Sequence, residues 1–420
     1  MCRGGFSERS ERNPPVEPAR AEWHVSEPSG AELDLRRLAS EAPLPFAEFM
    51  ALALYHPEDG YYTRPGAATG RTGDFSTSSD VSPAFGRRLA VQAADVWARL
   101  GGGPWSLVEL GPGRGLLAAD MLEGLAEFAA GARAALTELV LVEVSPSLAA
   151  QQRARVAGVA PGLAVRHVRD LHELAAGSIT GFVVGKEVLD ALPVHVLSRR
   201  KSASATGGDA VVERCVTWDG AACAFVDRAP SDPRLVERAA QFGLLPRDGH
   251  VAEVCLGLEP FLRGIGRALA RGAALFVDYG WPAARLADEE HADGTLLAYH
   301  QHRVEPDVLF RPGRQDITAH VNWDHFAEAA RAAGLDPAGR TTQDRFLLAL
   351  GLVDDLVAAE SGGADEGERA AALAFRLAAR SLIMPGAGGG KRFEAAALVK
   401  GIPADLRGLG DPFAALPPLP

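Results

Sequence analysis

The chain has 420 residues, 47% of them apolar and 23% charged, and a formal net charge of −11. That length is large for one hydrophobic core, so two subdomains, or one domain with a sizeable insertion, are expected. The acidic balance excludes a non-specific nucleic-acid binder, which needs a basic face, and otherwise serves solubility. From Met1 to about Pro28 there is no apolar signal core. Arginines and serines there suit a transit peptide, but Glu8, Glu11 and Glu17 speak against one. Residues 1–32 are therefore read as a disordered tail, and the cytoplasm is the default location. No apolar run of about 18 residues occurs, so no membrane span is expected.

Order is expected from near Leu33. Pro45 to Leu54 reads as a short helix that stops before His56-Pro57, because a residue preceding proline avoids helical geometry. After a glycine-rich loop from Gly66 to Gly73, Ser82-Pro83 starts an amphipathic helix over Ala84 to Leu100. Residues 33–100 thus form an N-terminal helical region. Strands then alternate with helices: strand Trp105 to Leu110, helix Leu116 to Phe128, strand Leu139 to Val144 and helix Pro146 to Arg155. Further strands are expected at Val165 to Val168, from Phe182, and at Ala273 to Asp278. Apolar strands joined by helices specify an α/β fold with a doubly wound, mostly parallel sheet.

About 80 residues separate the fourth and fifth strands, far beyond an ordinary connection. Within them Val194-Leu197, Val211-Trp218 and Cys223-Val226 alternate like antiparallel strands around Gly-Asp and Asp-Gly turns. Residues 194–269 are read as an inserted lid or substrate subdomain, and 101–193 with 270–400 as the core. After Gly280 a polar stretch reaches Thr318, followed by a helix from Trp323 to Ala333 and a last strand from Phe393 to Val399. The four cysteines, Cys2, Cys215, Cys223 and Cys255, make no C-x-x-C pair and no metal-ligand spacing with histidine. Cys215 and Cys223 could meet across a hairpin; isolated thiols are the expectation. His300 and His302 lack carboxylate support, so no metal is proposed.

The first strand runs into Glu109-Leu110-Gly111-Pro112-Gly113-Arg114-Gly115. A glycine turn between strand and helix lets backbone approach a ligand and aims free helix amides at it. Dinucleotide enzymes use G-x-G-x-x-G. Here Gly111, Gly113 and Gly115 give G-x-G-x-G behind an acid, which resembles the first motif of Rossmann-like methyltransferases and implies S-adenosyl-L-methionine (AdoMet) as cofactor. Glu143, at the end of the second strand, can accept hydrogen bonds from both ribose hydroxyls. Asp170, after the third strand, is either an adenine contact or a plain strand-end acid.

A wider resemblance rests on segments in order from about residue 45 to 350. They include Leu54 to Tyr62, Gly73-Asp74-Phe75-Ser76-Thr77, Val81 to Gly86, Glu109 to Gly115 and Glu143-Val144-Ser145-Pro146. Glu187-Val188-Leu189-Asp190-Ala191-Leu192-Pro193, Val277-Asp278-Tyr279-Gly280, Gly294 to Tyr299 and Gln315 to Val321 follow. Together they resemble the MidA family of methyltransferases, whose mitochondrial members are arginine methyltransferases needed for complex I assembly. The resemblance implies a class I methyltransferase core that uses AdoMet. Two departures stand out: Lys186 replaces the asparagine usual before Glu187, and Asp80 sits where the family's T-A-P-E acid is shifted. From Asp354 onward the match is loose.

Methyl transfer is an in-line displacement, so positioning and exclusion of water dominate. A guanidinium acceptor needs carboxylates to orient it and a route for its proton. Glu187 and Asp190, just past the fourth strand, are the candidates; helix capping is the alternative for Asp190. Lys186 could neutralise Glu187. Asp74 and Thr77 could close over the cofactor, or be ordinary turn residues. His320 is a candidate proton acceptor, with a structural histidine the alternative. The expected partner is a protein or small-molecule methyl acceptor, with a homodimer the candidate assembly. The reading that follows is a protein arginine methyltransferase. The alternatives are a methyltransferase for a small molecule or peptide, or an AdoMet-binding assembly factor.

Overall fold

A computed structural model describes residues 28–64, 78–201, 210–301, 303–360, 365–384 and 392–412. Asp74 and Thr77, the candidate cofactor-closing residues, lie outside them. Helices α1 (Gly30–Glu41) and α2 (Phe46–Tyr55) lead the chain, followed by α3 (Ala84–Arg99). The Ser29 hydroxyl accepts from the Glu32 amide at 3.1 Å, so α1 starts ahead of Leu33, where order was expected. The Ser82 hydroxyl accepts from the Ala84 amide at 3.3 Å and starts α3 as its sequence suggests.

Seven strands build the central sheet: β1 (Trp105–Leu110), β2 (Leu136–Val142), β3 (Ala164–Val168), β4 (Ile179–Lys186), β5 (Leu269–Asp278), β6 (Asp336–Thr342) and β7 (Glu394–Lys400). Their spatial order is β3-β2-β1-β4-β5-β7-β6. The first five run parallel, and β7 is antiparallel to both of its neighbours. Apolar residues on successive positions feed both faces, as period-two geometry requires. Leu107, Leu139, Val184 and Leu275 join one core with α3, α4 (Leu116–Phe128) and α5 (Pro146–Val159). Val108, Val140, Val183 and Phe276 join the other with α6 (Leu258–Ala268) and α7 (Trp323–Ala332). The sheet is thus buried between two helical layers, a Rossmann-like arrangement.

Strand β2 stops at Val142 rather than Val144, which leaves Glu143 in the turn beyond it. Its amide still donates to the Val168 carbonyl at 2.9 Å, so that turn stays anchored to β3. Strand β6 was not expected, because Pro337 and Gly339 interrupt its pattern. It lies at the sheet edge, with a register shift between those two residues, where proline is tolerated. The helix Glu366–Ser381 was also missed, in the region where the motif match is loose.

The long insertion does fold as antiparallel strands, His195–Arg200, Ala210–Trp218, Cys223–Arg228 and Val251–Val254, but not alone. The strand Leu44–Pro45 pairs with Ala210–Trp218, and Phe46, Phe49, Met50 and Leu54 pack with Val196 and Val216. The N-terminal helices and the insertion therefore share one core. Cys215 stands opposite Val226, and Cys223 opposite Trp218, so the two thiols do not face each other. Both are free, as is Cys255. The polar stretch after Gly280 holds a further small sheet of Leu297–His300, Arg303–Glu305 and Asp316–Thr318. No helix among the described residues is long and apolar enough to cross a membrane.

Candidate active site

Strand order reverses between β1 and β4, and open α/β sheets bind ligands at the carboxyl edge of such a point. A cavity of about 490 Å³ opens there. Its floor is made by the turns that follow β1 (Glu109 to Arg114), β2 (Glu143, Val144), β3 (Arg169 to His172) and β4 (Lys186 to Val188). Tyr55, Tyr61 and Tyr62 from the N-terminal layer, and Pro260 and Phe261 from α6, complete the wall.

The glycine turn takes the form its sequence demands. Gly111, Gly113 and Gly115 have φ of 60°, 52° and 73°, a region costly for residues with a Cβ. A Cβ at Gly113 would meet nothing within 4 Å, so the backbone there borders open cavity. Gly115 serves differently: a Cβ would press on Gln152, 3.2 Å from its Cα.

Glu109 and Glu143 are both buried. Burial pushes Glu109 up to about 8. Its Oε2 is buried and has no hydrogen-bond partner among the described residues, and the side chain lines the cavity. Glu143 is raised by burial too, although hydrogen bonds from Ser145 and Gln152 oppose the rise. Its Oε1 accepts from the Ser145 amide at 2.7 Å, and its Oε2 from Gln152 Nε2 at 2.8 Å. Each oxygen keeps a lone pair for a ligand hydroxyl. Asp170 lines the cavity, but its carboxylate caps the turn at Leu171–Glu173, accepting from the His172 amide at 2.6 Å.

Lys186 and Glu187 line the cavity and form an ion pair with each other. Glu187 has φ of 52°, rare for a residue with a side chain, and its amide donates to the Val277 carbonyl at 3.0 Å. Asp278, at the end of β5, fixes the rest of this turn. Its Oδ2 accepts from the amides of Val188 at 3.1 Å and Leu189 at 2.9 Å. The turn also abuts the glycine loop, since a Cβ on Gly111 would stand 3.1 Å from Val188 Cγ2. Asp190 is buried beneath the cavity wall. Burial raises its carboxyl, which is hydrogen-bonded to Tyr279. His320 is not brought to this cavity. Its ring packs edge-on to Tyr279 at 5.5 Å, and burial lowers it to about 4.

Sequence reasoning missed three supports. Asp278 ends an apolar strand as Glu143 nearly does, so the same rule could have found it. Gln152, inside α5, carries no local signal. The pairing of Asp80 with Arg114, which joins the segment before α3 to the glycine turn, links residues far apart in the chain.

The residues fit AdoMet. A cradle open at Gly113, a held carboxylate at Glu143 and an unpartnered carboxyl oxygen at Glu109 face one cavity of ligand size. When bound, that group supplies an electrophilic methyl on a sulfonium.

Comparison with known proteins agrees. The profile of a family described as S-adenosyl-L-methionine-dependent methyltransferases matches residues 88–341. A Burkholderia thailandensis protein crystallised with S-adenosyl-homocysteine is 34% identical, with a TM-score of 0.77 over 90% of this chain and 94% of that one. Protein arginine methyltransferase NDUFAF7, mitochondrial, from Rattus norvegicus is 28% identical over 75% of this chain and 72% of its own. The Homo sapiens form is 29% identical over 75% and 72%. With a profile spanning more than half its length and a motif-lined cavity that suits the cofactor, the chain belongs to this family of S-adenosyl-L-methionine-dependent methyltransferases.

Proposed function

We propose that this enzyme methylates a guanidino nitrogen of arginine presented by a protein. The observation that carries the reading is Glu187, a carboxylate on the cavity wall in a turn pinned against the glycine loop. A carboxylate there can orient a planar cation by paired hydrogen bonds. Tyr55 and Tyr62 line the same cavity, and aromatic walls suit a guanidinium, as the Arg64 guanidinium 5.2 Å from the ring centre of neighbouring Tyr61 illustrates. The Tyr55 hydroxyl is spoken for by the Ala191 carbonyl at 3.0 Å, and that of Tyr62 by Asp316 Oδ1 at 2.7 Å. These tyrosines thus serve as fixed walls. Relatives named protein arginine methyltransferase support the choice of acceptor.

Labelled AdoMet incubated with enzyme and cell lysate, followed by mass spectrometry of digested protein, tests this. Methylated arginine in one or a few proteins is expected. Label confined to small molecules would overturn the arginine reading, and binding of a partner without any label would favour an assembly factor. Glu187→Gln is expected to lower turnover at least tenfold while AdoMet binding is kept.

A further inference from the structure

The chain has 43 basic residues, and only Lys186, Lys201, Lys391 and Lys400 are lysines. Arginine is its ordinary cation, yet the basic residue that ends β4 and lines the cavity is a lysine. The side chain of Lys186 is 5% exposed. Its Nζ meets Glu187, lies 4.8 Å from the ring centre of Phe393 and 5.8 Å from that of Phe85. Both side chains leave a backbone held by β5, which fixes where they enter the cavity.

Two physical facts bear on this pair. A guanidinium that docks on Glu187 brings a second cation to one half-buried carboxylate. It stays charged, whereas a lysine can give its proton up. Methylation of a guanidinium also releases one proton, and the buried cavity must provide somewhere for it to go.

We propose that Lys186 is the proton acceptor of the transfer: a cationic acceptor takes over Glu187, and the released amine takes the proton shed by the acceptor nitrogen. The inference rests on the arginine reading above. As the acceptor takes Glu187, the Lys186 ammonium gives its own proton to solvent through the mouth of the cavity and becomes the amine. The acceptor nitrogen then forms a bond to the methyl carbon, and the carbon–sulfur bond breaks with its electron pair left on sulfur. The proton lost from that nitrogen passes to the Nζ lone pair, and the ammonium re-forms its pair with Glu187 as product leaves. Burial favours the amine, drawing Lys186 down to about 7 against the opposing pull of Asp278 and Asp190. The charged groups around Nζ are Glu187 and Asp190 from its own turn and Asp278 from β5. The side chains that meet it from α3 and from the segment before β7 are phenyl rings.

An arginine at this position would keep the charge and the partner but could not accept a proton, so Lys186→Arg isolates the proposal. The protein is saturated with S-adenosyl-homocysteine, its lysines are labelled with ¹³C at Cε, and each resonance is followed with pH. Lys186 is identified by its absence from the variant. It is expected to titrate near pH 7, well below an ordinary lysine at about 10.4. Turnover is then measured on a set of arginine-containing peptides. Lys186→Arg and Lys186→Met are expected to bind S-adenosyl-homocysteine within about threefold of wild type, yet to lose about 100-fold or more in kcat. The rise of wild-type kcat through pH 7 should vanish in both. A Lys186 resonance titrating above about 9.5 would sink the proposal. So would Lys186→Arg with wild-type kcat and pH profile. If wild type methylates no arginine, the arginine reading fails separately. The titration still decides the state of Lys186, and the variants are compared on whichever nitrogen carries the label.

Discussion

Gln152 ties Glu143 to the glycine turn, donating from Nε2 to Glu143 Oε2 at 2.8 Å and to the Gly113 carbonyl at 2.6 Å. Its Oε1 lies 3.0 Å from His167 Nε2, so the amide is oriented from behind by β3. One side chain in the middle of α5 thereby sets the spacing between two expected cofactor contacts. Gln152→Ala frees both, and the Kd for AdoMet should rise about tenfold, on the order of 1.4 kcal/mol. Gln152→Glu should do worse, because it sets a second carboxylate against Glu143. Titration calorimetry checks both, and unchanged affinity in both variants would show that the bridge has no part in binding.

The glycines should separate binding from folding. Gly113 borders open cavity, so Gly113→Ala carries only the left-handed backbone cost of about 1–2 kcal/mol while its methyl occupies cofactor space. Gly115→Ala adds contact with the Gln152 backbone to a similar backbone cost. The first is expected to lose AdoMet affinity at least tenfold with the smaller fall in Tm, the second to show the larger fall. Thermal unfolding with and without AdoMet measures both effects, and the reverse ranking would contradict the roles assigned to the two residues.

Burial sets the pH dependence of the ligand-free fold. Glu109 is pushed up to about 8 from an ordinary 4.5, so the folded chain holds a proton there that the unfolded chain has lost. Between pH 4.5 and 8 this group therefore makes stability fall as pH rises. Asp120, raised by burial to about 7, acts in the same direction. Denaturant unfolding from pH 5 to 8 is expected to show a smaller loss in Glu109→Gln than in wild type. Equal slopes in the two proteins would place Glu109 in a wetter setting.

Asp278 holds the turn that carries Lys186 and Glu187. Asp278→Ala would strand the buried amides of Val188 and Leu189 and should cost about 2–4 kcal/mol. Asp278→Asn keeps an acceptor oxygen and, since burial already raises the Asp278 carboxyl, should cost less than half as much. Chemical denaturation ranks the pair. Comparable losses would mean that charge, rather than acceptance of the amides, is what the turn needs.

Local pattern determined a good part of this protein. Apolar runs such as Trp105–Leu110 predict buried strands because a parallel sheet is covered on both faces, and the G-x-G-x-G turn needs positive φ that glycine alone takes without strain. Glu143 was legible for the same reason: a strand end places the following side chain at the ligand edge. Strand β6 was not, because its Pro337 and Gly339 read as a loop until β7 supplied a partner. Only the tertiary structure could set Gln152 against Gly113, Asp278 beneath Val188, and His320 behind Tyr279 instead of in the cavity. Those relations join residues tens of positions apart, 39 for Gln152 and Gly113 and 90 for Asp278 and Val188, through burial and hydrogen bonding that leave no periodic trace along the chain. Lys186 shows the division within a single residue. Its identity is written in the sequence, but its burial between two rings comes from how β4 packs against α3 and the segment before β7.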